Sequence, residues 1–513
     1  MQFKLIAIAA AALLASTVSH ATVFGEVFDP AKFTLNEAAD GTTTGTYQNN
    51  PVDIVIVLSG ASASAKTIGT HIISDNCAAG ALSVMWDSAT GSNYRAYACD
   101  LSATNPINGG AAGSLVVIKR DSGGSIQGVN PIYVPGRISM MQLGTVVSAF
   151  GGSTTTPNNC TSTGNTASLN VPSYICPSTV QLFPDAGLSD VEPNIINDPI
   201  NAGAGLSPVG TVTQRSVFQQ MIGVATNLKL YRALQLSQGL TQDDAEANRP
   251  SLPSDFVSSL VLGKLSSSAT AKRGWNLVVS AAADSNATTK QINVCRRVAG
   301  SGTQAAANIY FAGNPCSLGK INPLTAQGAI AVTGTVTAVV EGSSTGAVET
   351  CLGNVDALAG GPDNAAYAIG HIGRDNDPFS PSDKKYRFVK VNGFHPEAHP
   401  DVTTGKCDTT RNFAGCNDGQ SGKYDYIFES TMQWNSGTPG NAAKVTYLNN
   451  IATKGFTAAQ LQGNNAAVIA GVMALPTSYT GAFENLVLGS ANQVYGSRVS
   501  RGSNSCSPLN VVR

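Results

Sequence analysis

Three short turns rich in serine and glycine follow apolar runs of the kind that form buried strands. The predicted strands cover 52–58, 114–119 and 291–297, and the turns after them cover 59–64, 122–125 and 299–303. A strand that leads through such a turn into a helix leaves backbone N–H groups free at the positive end of the helix dipole, and serine hydroxyls add further donors. The three turns therefore predict binding of an oxyanion with few cationic side chains.

Arg297 makes the third turn the most specific of the three. A turn of serine and glycine alone is more often an ordinary loop than an anion site. Arg297 precedes Ser301 by four residues, so its planar guanidinium can donate two parallel hydrogen bonds over the same turn. The sequence therefore predicts an anion contact that combines Arg297 with Ser301, Gly302 and Thr303.

These turns lie in a chain of 513 residues that is poor in charge. Charged residues make up 12% of it, against roughly 25% in an ordinary soluble domain. The 31 basic and 32 acidic residues give a formal net charge of −1, so no basic excess is available to neutralise a nucleic-acid backbone. With 42% hydrophobic residues the chain can form a core, and disorder is not expected.

The first 21 residues have the pattern of an export signal. Lys4 is followed by the apolar run 5–15, and 19–21 (Ser-His-Ala) is a small-x-small cleavage site. The apolar run is shorter than the about 20 residues that a membrane-spanning helix needs. We therefore predict a signal peptide over 1–21 and a periplasmic or secreted protein with no transmembrane segment.

Ten cysteines follow this signal, and an even number in an exported chain favours disulfides. The spacing does not determine the connectivity, so pairing between near neighbours is the simplest hypothesis. That hypothesis pairs Cys77 with Cys99, Cys160 with Cys176, Cys295 with Cys316 and Cys407 with Cys416, which leaves Cys351 with Cys506.

Strand-like runs alternate with helical patterns along the chain, which predicts an α/β fold. A helix is predicted within 219–235, and strands of the second half are predicted within 332–340 and 366–372. Residues 151–170 are predicted to form an exposed insertion and 392–423 a long loop.

The motif Arg297-Val-Ala-Gly-Ser301-Gly302-Thr303 resembles the R-x-x-x-S-G-T anion loop of the phosphate-binding periplasmic proteins of ABC transporters. Less specific islands follow the order of the same family between residues 50 and 435. They are 58–64, 122–125, 187–190, 262–264 with the later Trp275, and 368–370.

This resemblance implies a two-lobed type II periplasmic-binding-protein fold, here with long loop and β insertions. The first lobe is expected over 22–215 and the second over 216–375. Residues 376–513 are expected to cross back to the first lobe and to form a C-terminal elaboration.

The resemblance also implies a set of ligand contacts for phosphate or a phosphate-like oxyanion. Ser64 and the N–H of Ala65 would donate from the first turn, and Ser122 or Ser125 from the second. Arg297, Ser301, Gly302 and Thr303 would donate from the second lobe. Asp190 would accept a hydrogen bond from a protonated ligand and so reject sulfate; the alternative is that Asp190 is an ordinary turn or helix-capping residue.

Asp121 departs from the family, which has a neutral serine or glycine at this place, and a carboxylate here predicts weaker anion binding. The segment 395–401 (HPEAHPD) could cluster metal ligands, but its prolines favour a loop, and neither a metal nor a cofactor is predicted. A solute-binding protein that is not an enzyme, with an ABC permease as its partner, is the leading hypothesis. An extracellular structural or adhesion protein on the same scaffold is the alternative, and a phosphohydrolase is a weaker one.

Overall fold

The computed structural model describes residues 23–24, 27–62, 66–87, 93–104, 107, 109–110, 112–166, 170–265, 274–316, 321–358, 365–379, 382–396, 418–436, 442–463, 471–476 and 495–512. The predicted signal peptide, residues 397–417 of the predicted loop 392–423, and the turn residues Ser64 and Ala65 lie outside them. Among the described residues, no helix is long and apolar enough to span a membrane.

The described residues form a mixed α/β structure, which confirms the predicted fold class. The strands are β1 (Phe33–Glu37), β2 (Thr43–Tyr47), β3 (Asn50–Pro51), β4 (Ile54–Gly60), β5 (Ser83–Trp86), β6 (Tyr94–Leu101), β7 (Gly113–Arg120), β8 (Ile138–Met141), β9 (Thr145–Ser148), β10 (Thr161–Asn165), β11 (Pro172–Ile175), β12 (Thr179–Leu182), β13 (Ala186–Ser189), β14 (Val212–Asn227), β15 (Ser251–Leu252), β16 (Ile292–Arg297), β17 (Ala338–Gly342), β18 (Tyr367–Gly373), β19 (Tyr386–Phe388), β20 (Lys390–Val391), β21 (Ile427–Asn435), β22 (Val472–Ala474), β23 (Val499–Ser500) and β24 (Asn510–Val511). The α-helices are α1 (Ser74–Asn76), α2 (Ile126–Tyr133), α3 (Pro193–Ile196), α4 (Leu228–Ser237), α5 (Ser254–Val261), α6 (Gly302–Ala312), α7 (Thr345–Ala357), α8 (Ala442–Lys454) and α9 (Ala458–Gly463), and a π-helix covers Lys66–Ile73.

A sheet of fourteen strands runs through both halves of the described structure. Its main path is β10-β11-β5-β6-β7-β4-β13-β21-β14-β18-β16-β17, and β19 and β22 also pair with β14. β4 lies parallel to β7 and β13, and β16 lies parallel to β17 and β18. Strands that are parallel to each other end at the same edge of the sheet, so the turns after β4, β7 and β13 lie together, and so do those after β16 and β17.

The antiparallel pair β14 and β21 joins the two halves of this sheet: the strands from β10 to β13 on the path form the first half, and β18, β16 and β17 form the second. β21 pairs with β13 on one side and with β14 on the other, and β14 continues from β21 to β18. Both strands are buried over most of their length. The chain therefore passes between the halves through two hydrogen-bonded strands.

Hydrophobic clusters cover both faces of the sheet in each half, and one of them joins α2 and α3 of the first half to the second half. In the first half, α8 and the π-helix cover one face of the sheet, and the small sheet β3-β2-β1-β9 helps to cover the other. In the second half, α4, α5 and α6 contribute to one apolar cluster and α7 packs over the opposite face. The buried strands are rich in valine and isoleucine, which suit sheets that are covered on both faces.

The helix predicted within 219–235 is wrong in its first half. Residues up to 227 belong to the 16-residue strand β14, and the helix α4 begins only at Leu228. β14 is paired along both edges by β21 and β18, and this tertiary pairing outweighs the helical pattern of the local sequence. The described part of the predicted insertion 151–170 is mostly exposed and contains the short strand β10.

Two of the predicted disulfides are confirmed and two are wrong. Cys77–Cys99 and Cys160–Cys176 form as predicted. Cys295 pairs instead with Cys351, because α7 packs against β16 and brings their Cα atoms to 5.9 Å. Cys316, beyond the end of α6, pairs with Cys506, which is 190 residues away in sequence but lies 5.2 Å away between Cα atoms. The predicted pair of Cys407 and Cys416 lies outside the described residues.

Candidate oxyanion-binding site

The turn between β16 and α6 presents the N-terminus of a helix of 11 residues. Gly300 has a positive φ of 88°, and Ser301 then adopts extended backbone as the N-cap residue. The Ser301 side chain makes no capping hydrogen bond, and its Oγ is buried with no hydrogen-bond partner among the described residues. This helix start therefore keeps a hydroxyl group and its N-terminal dipole available to a bound anion.

Arg297 ends β16 directly beneath this turn, and its side chain is buried. Its Nη1 donates to Ser62 Oγ at 3.0 Å and to Thr345 Oγ1 at 3.4 Å, and its Nη2 donates to the Ser343 carbonyl at 3.0 Å. A guanidinium has five N–H groups, so these three bonds leave two, and Nε has no partner among the described residues. Arg297 is thus held in place by protein groups, while part of its donor set is not used by the residues that the structure describes.

Asp190 approaches the same helix start from the other half of the protein. It follows β13, and its Oδ2 accepts a hydrogen bond from Thr303 Oγ1 at 3.3 Å. Its Oδ1 is buried with no partner among the described residues. Burial raises the pKa of the Asp190 carboxyl to about 6, and the positive charge of Arg297 opposes this rise. The two charged residues predicted for the site therefore lie within electrostatic reach of one another.

The second predicted turn, between β7 and α2, lies against the turn that precedes α6. The N–H of Ile126 donates to the Gly300 carbonyl at 2.9 Å, and Ser125 Oγ accepts from the N–H of Asp190 at 3.2 Å. A Cβ on Gly124, whose φ is +77°, would lie 3.0 Å from the Gly300 carbonyl oxygen. Of the two alternatives in this turn, Ser125 is the one that is buried at the junction, whereas Ser122 is only half-buried.

Three partners of Arg297 were not predicted from the sequence. Ser62 belongs to the first turn, two residues before Ser64, which lies outside the described residues together with Ala65. Ser343 and Thr345 lie where β17 leads into α7, whose N-cap is Ser344. This is a fourth example of a strand, a serine-rich turn and a helix start, so the same pattern would have revealed it.

The segment 395–401 does not bring metal ligands together in the part of the chain that the structure describes. His395 is buried, and its Nδ1 lies 3.2 Å from Nη1 of Arg249. Glu397, His399 and Asp401 lie outside the described residues, and those that are described hold no group of three or more metal-ligating side chains. Burial, the largest cause, and the nearby Arg249 both lower the pKa of His395, so it is a neutral imidazole near pH 7.

Gly302 lies in close contact with the first half, and we expect Gly302→Ala to weaken anion binding about tenfold. A Cβ at this position would lie 2.4 Å from Ser125 Oγ and 2.6 Å from Asp190 Cβ. The two halves must move apart at the site to relieve this overpacking, which costs about 1–3 kcal/mol. The helix α6 itself tolerates alanine well.

Gly346→Ala is the matched control, because Gly346 also lies at a helix start and a Cβ there would meet only Ser344 Oγ, at 3.9 Å. Isothermal titration with phosphate compares the two variants. Equal affinities for both would show that the contact at Gly302 has no part in binding.

Comparison with known proteins finds similarity only at the level of structure. The chain matches no protein-family model and no curated protein sequence. Among solved structures, it resembles a phosphate ABC transporter substrate-binding protein from Clostridium perfringens with bound phosphate, at 11% identity and a TM-score of 0.36, over 80% of this chain and 98% of the other.

Two further structures give similar values. PstS from Borrelia burgdorferi is 10% identical with a TM-score of 0.31, over 83% of this chain and 100% of the other. A high-affinity periplasmic phosphate-binding protein solved with phosphate at pH 8.5 is 15% identical with a TM-score of 0.36, over 86% and 98%. The chain is similar to phosphate-binding proteins. Scores below 0.5 describe a loose likeness, so the ligand of this chain is inferred from its own residues.

Proposed function

We propose that this protein binds phosphate or a phosphate-like oxyanion, without catalysis, where the two halves of the sheet meet at the start of α6. The observation that carries the proposal is the buried guanidinium of Arg297. It lies beneath a helix N-terminus, and its three hydrogen bonds to described residues leave two N–H donors without an acceptor among them. The Ser301 hydroxyl, buried and unpaired among the described residues, adds a further donor.

Asp190 supports a protonated oxyanion as the ligand. Its Oδ1 is an acceptor without a partner among the described residues, and it comes from the half opposite to Arg297. HPO₄²⁻ and H₂PO₄⁻ carry a hydrogen that a carboxylate can accept, whereas sulfate is fully deprotonated at neutral pH and would be repelled. Arg297, Ser301, Gly302, Thr303 and Ser125 would then surround the ligand together with the first turn, for which Ser64 and Ala65 are proposed.

The proposed setting is the periplasm or the extracellular space, with an ABC permease as the partner that receives the ligand. Four disulfides among the described residues support an oxidising compartment. Two halves joined by β14 and β21, with the site at their junction, also suit a binding protein that closes around a small solute.

Isothermal titration of the purified protein with phosphate and with sulfate at pH 7.5 tests the proposed function. Phosphate that co-purifies is first removed by dialysis and quantified by acid denaturation. We expect one phosphate per chain and binding of sulfate at least 100-fold weaker. Absence of heat with millimolar phosphate, from protein shown to be free of it, would refute the proposal.

A further inference from the structure

Lys119 and Asp121 form a buried charge pair at the end of β7, directly before the second anion turn. The ammonium of Lys119 contacts Asp121 Oδ1, and the two side chains are 0% and 3% exposed. Arg95 on the neighbouring strand β6 places its Nε 4.0 Å from Asp121 Oδ2. A lysine buried this completely is rare unless it is paired, so this arrangement requires an explanation.

The pair lies close to the proposed site. Asp121 precedes the turn 122–125, in which Gly124 lies against Gly300 and Ser301. The charge on Asp190 also acts on Lys119, although burial, the largest cause, and Arg95 lower the pKa of the lysine. A residue at position 121 therefore contributes to the electrostatic field that a bound anion would experience.

The contact with Lys119 changes the contribution of Asp121 to the electrostatic field at the anion site. Whichever of the two groups holds the shared proton, Lys119 and Asp121 together carry no net charge. Arg95 then leaves the cluster with a net charge of +1. The weakening of anion binding expected from Asp121 alone is thus offset by a partner that the sequence motif does not include.

We propose that Lys119 sets the affinity of the anion site, because it neutralises Asp121 and lets the second turn offer its N–H and hydroxyl groups to an anion. This inference rests on the proposed function. Lys119 acts through Asp121 and not by contact with the ligand. Loss of Lys119 lowers the net charge of the cluster behind the turn from +1 to 0, and the loss of one positive charge at an effective dielectric constant of about 20 weakens anion binding roughly tenfold.

The test is titration of four proteins with inorganic phosphate at pH 7.5: the wild type, Lys119→Met, Asp121→Asn and the double variant. We expect Lys119→Met to bind about tenfold more weakly and the double variant to bind within twofold of the wild type. Asp121→Asn is expected to bind as tightly as the wild type or more tightly. Lys385→Met, at a lysine that is 53% exposed, controls for the loss of one positive charge and is expected to have no effect.

Each outcome decides between specific alternatives. Lys119→Met with wild-type affinity overturns the inference while the proposed function stands. If this variant does not fold, the double variant and Asp121→Asn decide. A double variant that binds tenfold more weakly would mean that the ammonium itself contacts the ligand. An Asp121→Asn variant that binds fivefold more weakly would mean that Asp121 contacts the ligand. A phosphate-free wild type that binds no phosphate refutes the proposed function, and this inference with it.

Discussion

Arg297→Ala is expected to weaken phosphate binding at least about 100-fold while leaving the fold intact. Among the described residues, two N–H groups of the guanidinium have no acceptor, and each hydrogen bond from a charged donor to an anion contributes about 1.5–3 kcal/mol. Two such bonds correspond to about 3 kcal/mol or more, which is a factor of at least about 100 in Kd. Isothermal titration with phosphate measures the loss.

Arg296→Ala is a closely matched control for this prediction. Arg296 is the adjacent residue of β16, so its side chain leaves the opposite face of the strand, and it pairs with Glu341 at 2.7 Å. We expect this variant to retain phosphate affinity. Arg297→Lys keeps the charge but loses the planar fork, and an intermediate loss is expected. Retained affinity in Arg297→Ala would remove Arg297 from the site.

The strands and turns that hold the site could be predicted, because the sequence patterns that indicate them are local. Residues 52–58, 114–119 and 291–297 are apolar runs rich in β-branched residues that stop at glycine and serine, and the structure has strands β4, β7 and β16 there. Helix starts follow two of the three turns, at α2 and α6. In such segments the local sequence and the tertiary environment favour the same structure.

Features that depend on distant partners could not be predicted in this way. β14 is a strand because β21 and β18, more than 100 residues away in the chain, pair with its two edges. Cys316 pairs with Cys506 across 190 residues, although Cys295 is much nearer in sequence. No local pattern encodes either contact, so pairing each cysteine with its nearest neighbour in sequence predicts the wrong partner for Cys316.

The candidate site combines residues that could be predicted from the sequence with a contact that was not. The order of motifs placed Asp190, Arg297 and Ser301 in one list of candidates, and the structure brings Asp190 and the start of α6 into hydrogen-bond contact. The pairing of Asp121 with Lys119 was not anticipated, although residues two positions apart leave the same face of a strand and this spacing would have indicated it.

Asp190→Asn is expected to stabilise the unliganded protein at neutral pH. The folded-state pKa of this carboxyl is raised from 3.8 to about 6 by burial, so the ionised form is disfavoured in the folded protein. A raised pKa contributes stability that is present below pH 4 and is lost as the pH rises through 6. A rise of about two units in the pKa corresponds to a loss of about 3 kcal/mol of folding stability above pH 7, and the asparagine avoids this loss. The excess stability of the variant is therefore expected to be largest at pH 8 and to fall below about 1 kcal/mol at pH 4, as measured by urea denaturation.

Asp244→Asn provides a control of opposite sign. Hydrogen bonds from Arg387 and Arg232 lower the pKa of Asp244, so its contribution to stability is present at neutral pH and is lost in acid. We expect this variant to be less stable than the wild type at pH 8 and to approach it at low pH. An Asp190→Asn variant that loses stability at pH 8 would contradict the raised pKa.

The same substitution is expected to remove discrimination against sulfate. The ionised carboxylate repels a fully deprotonated anion, whereas the amide of asparagine can donate a hydrogen bond to it. In the wild type, protonation of Asp190 has the equivalent effect, so sulfate affinity should rise as the pH falls from 7.5 to 5 and should be nearly independent of pH in Asp190→Asn. Titration with sulfate across this range separates the two proteins. A wild-type sulfate affinity that does not change with pH would show that Asp190 faces the helix N-terminus as a structural cap and not the ligand.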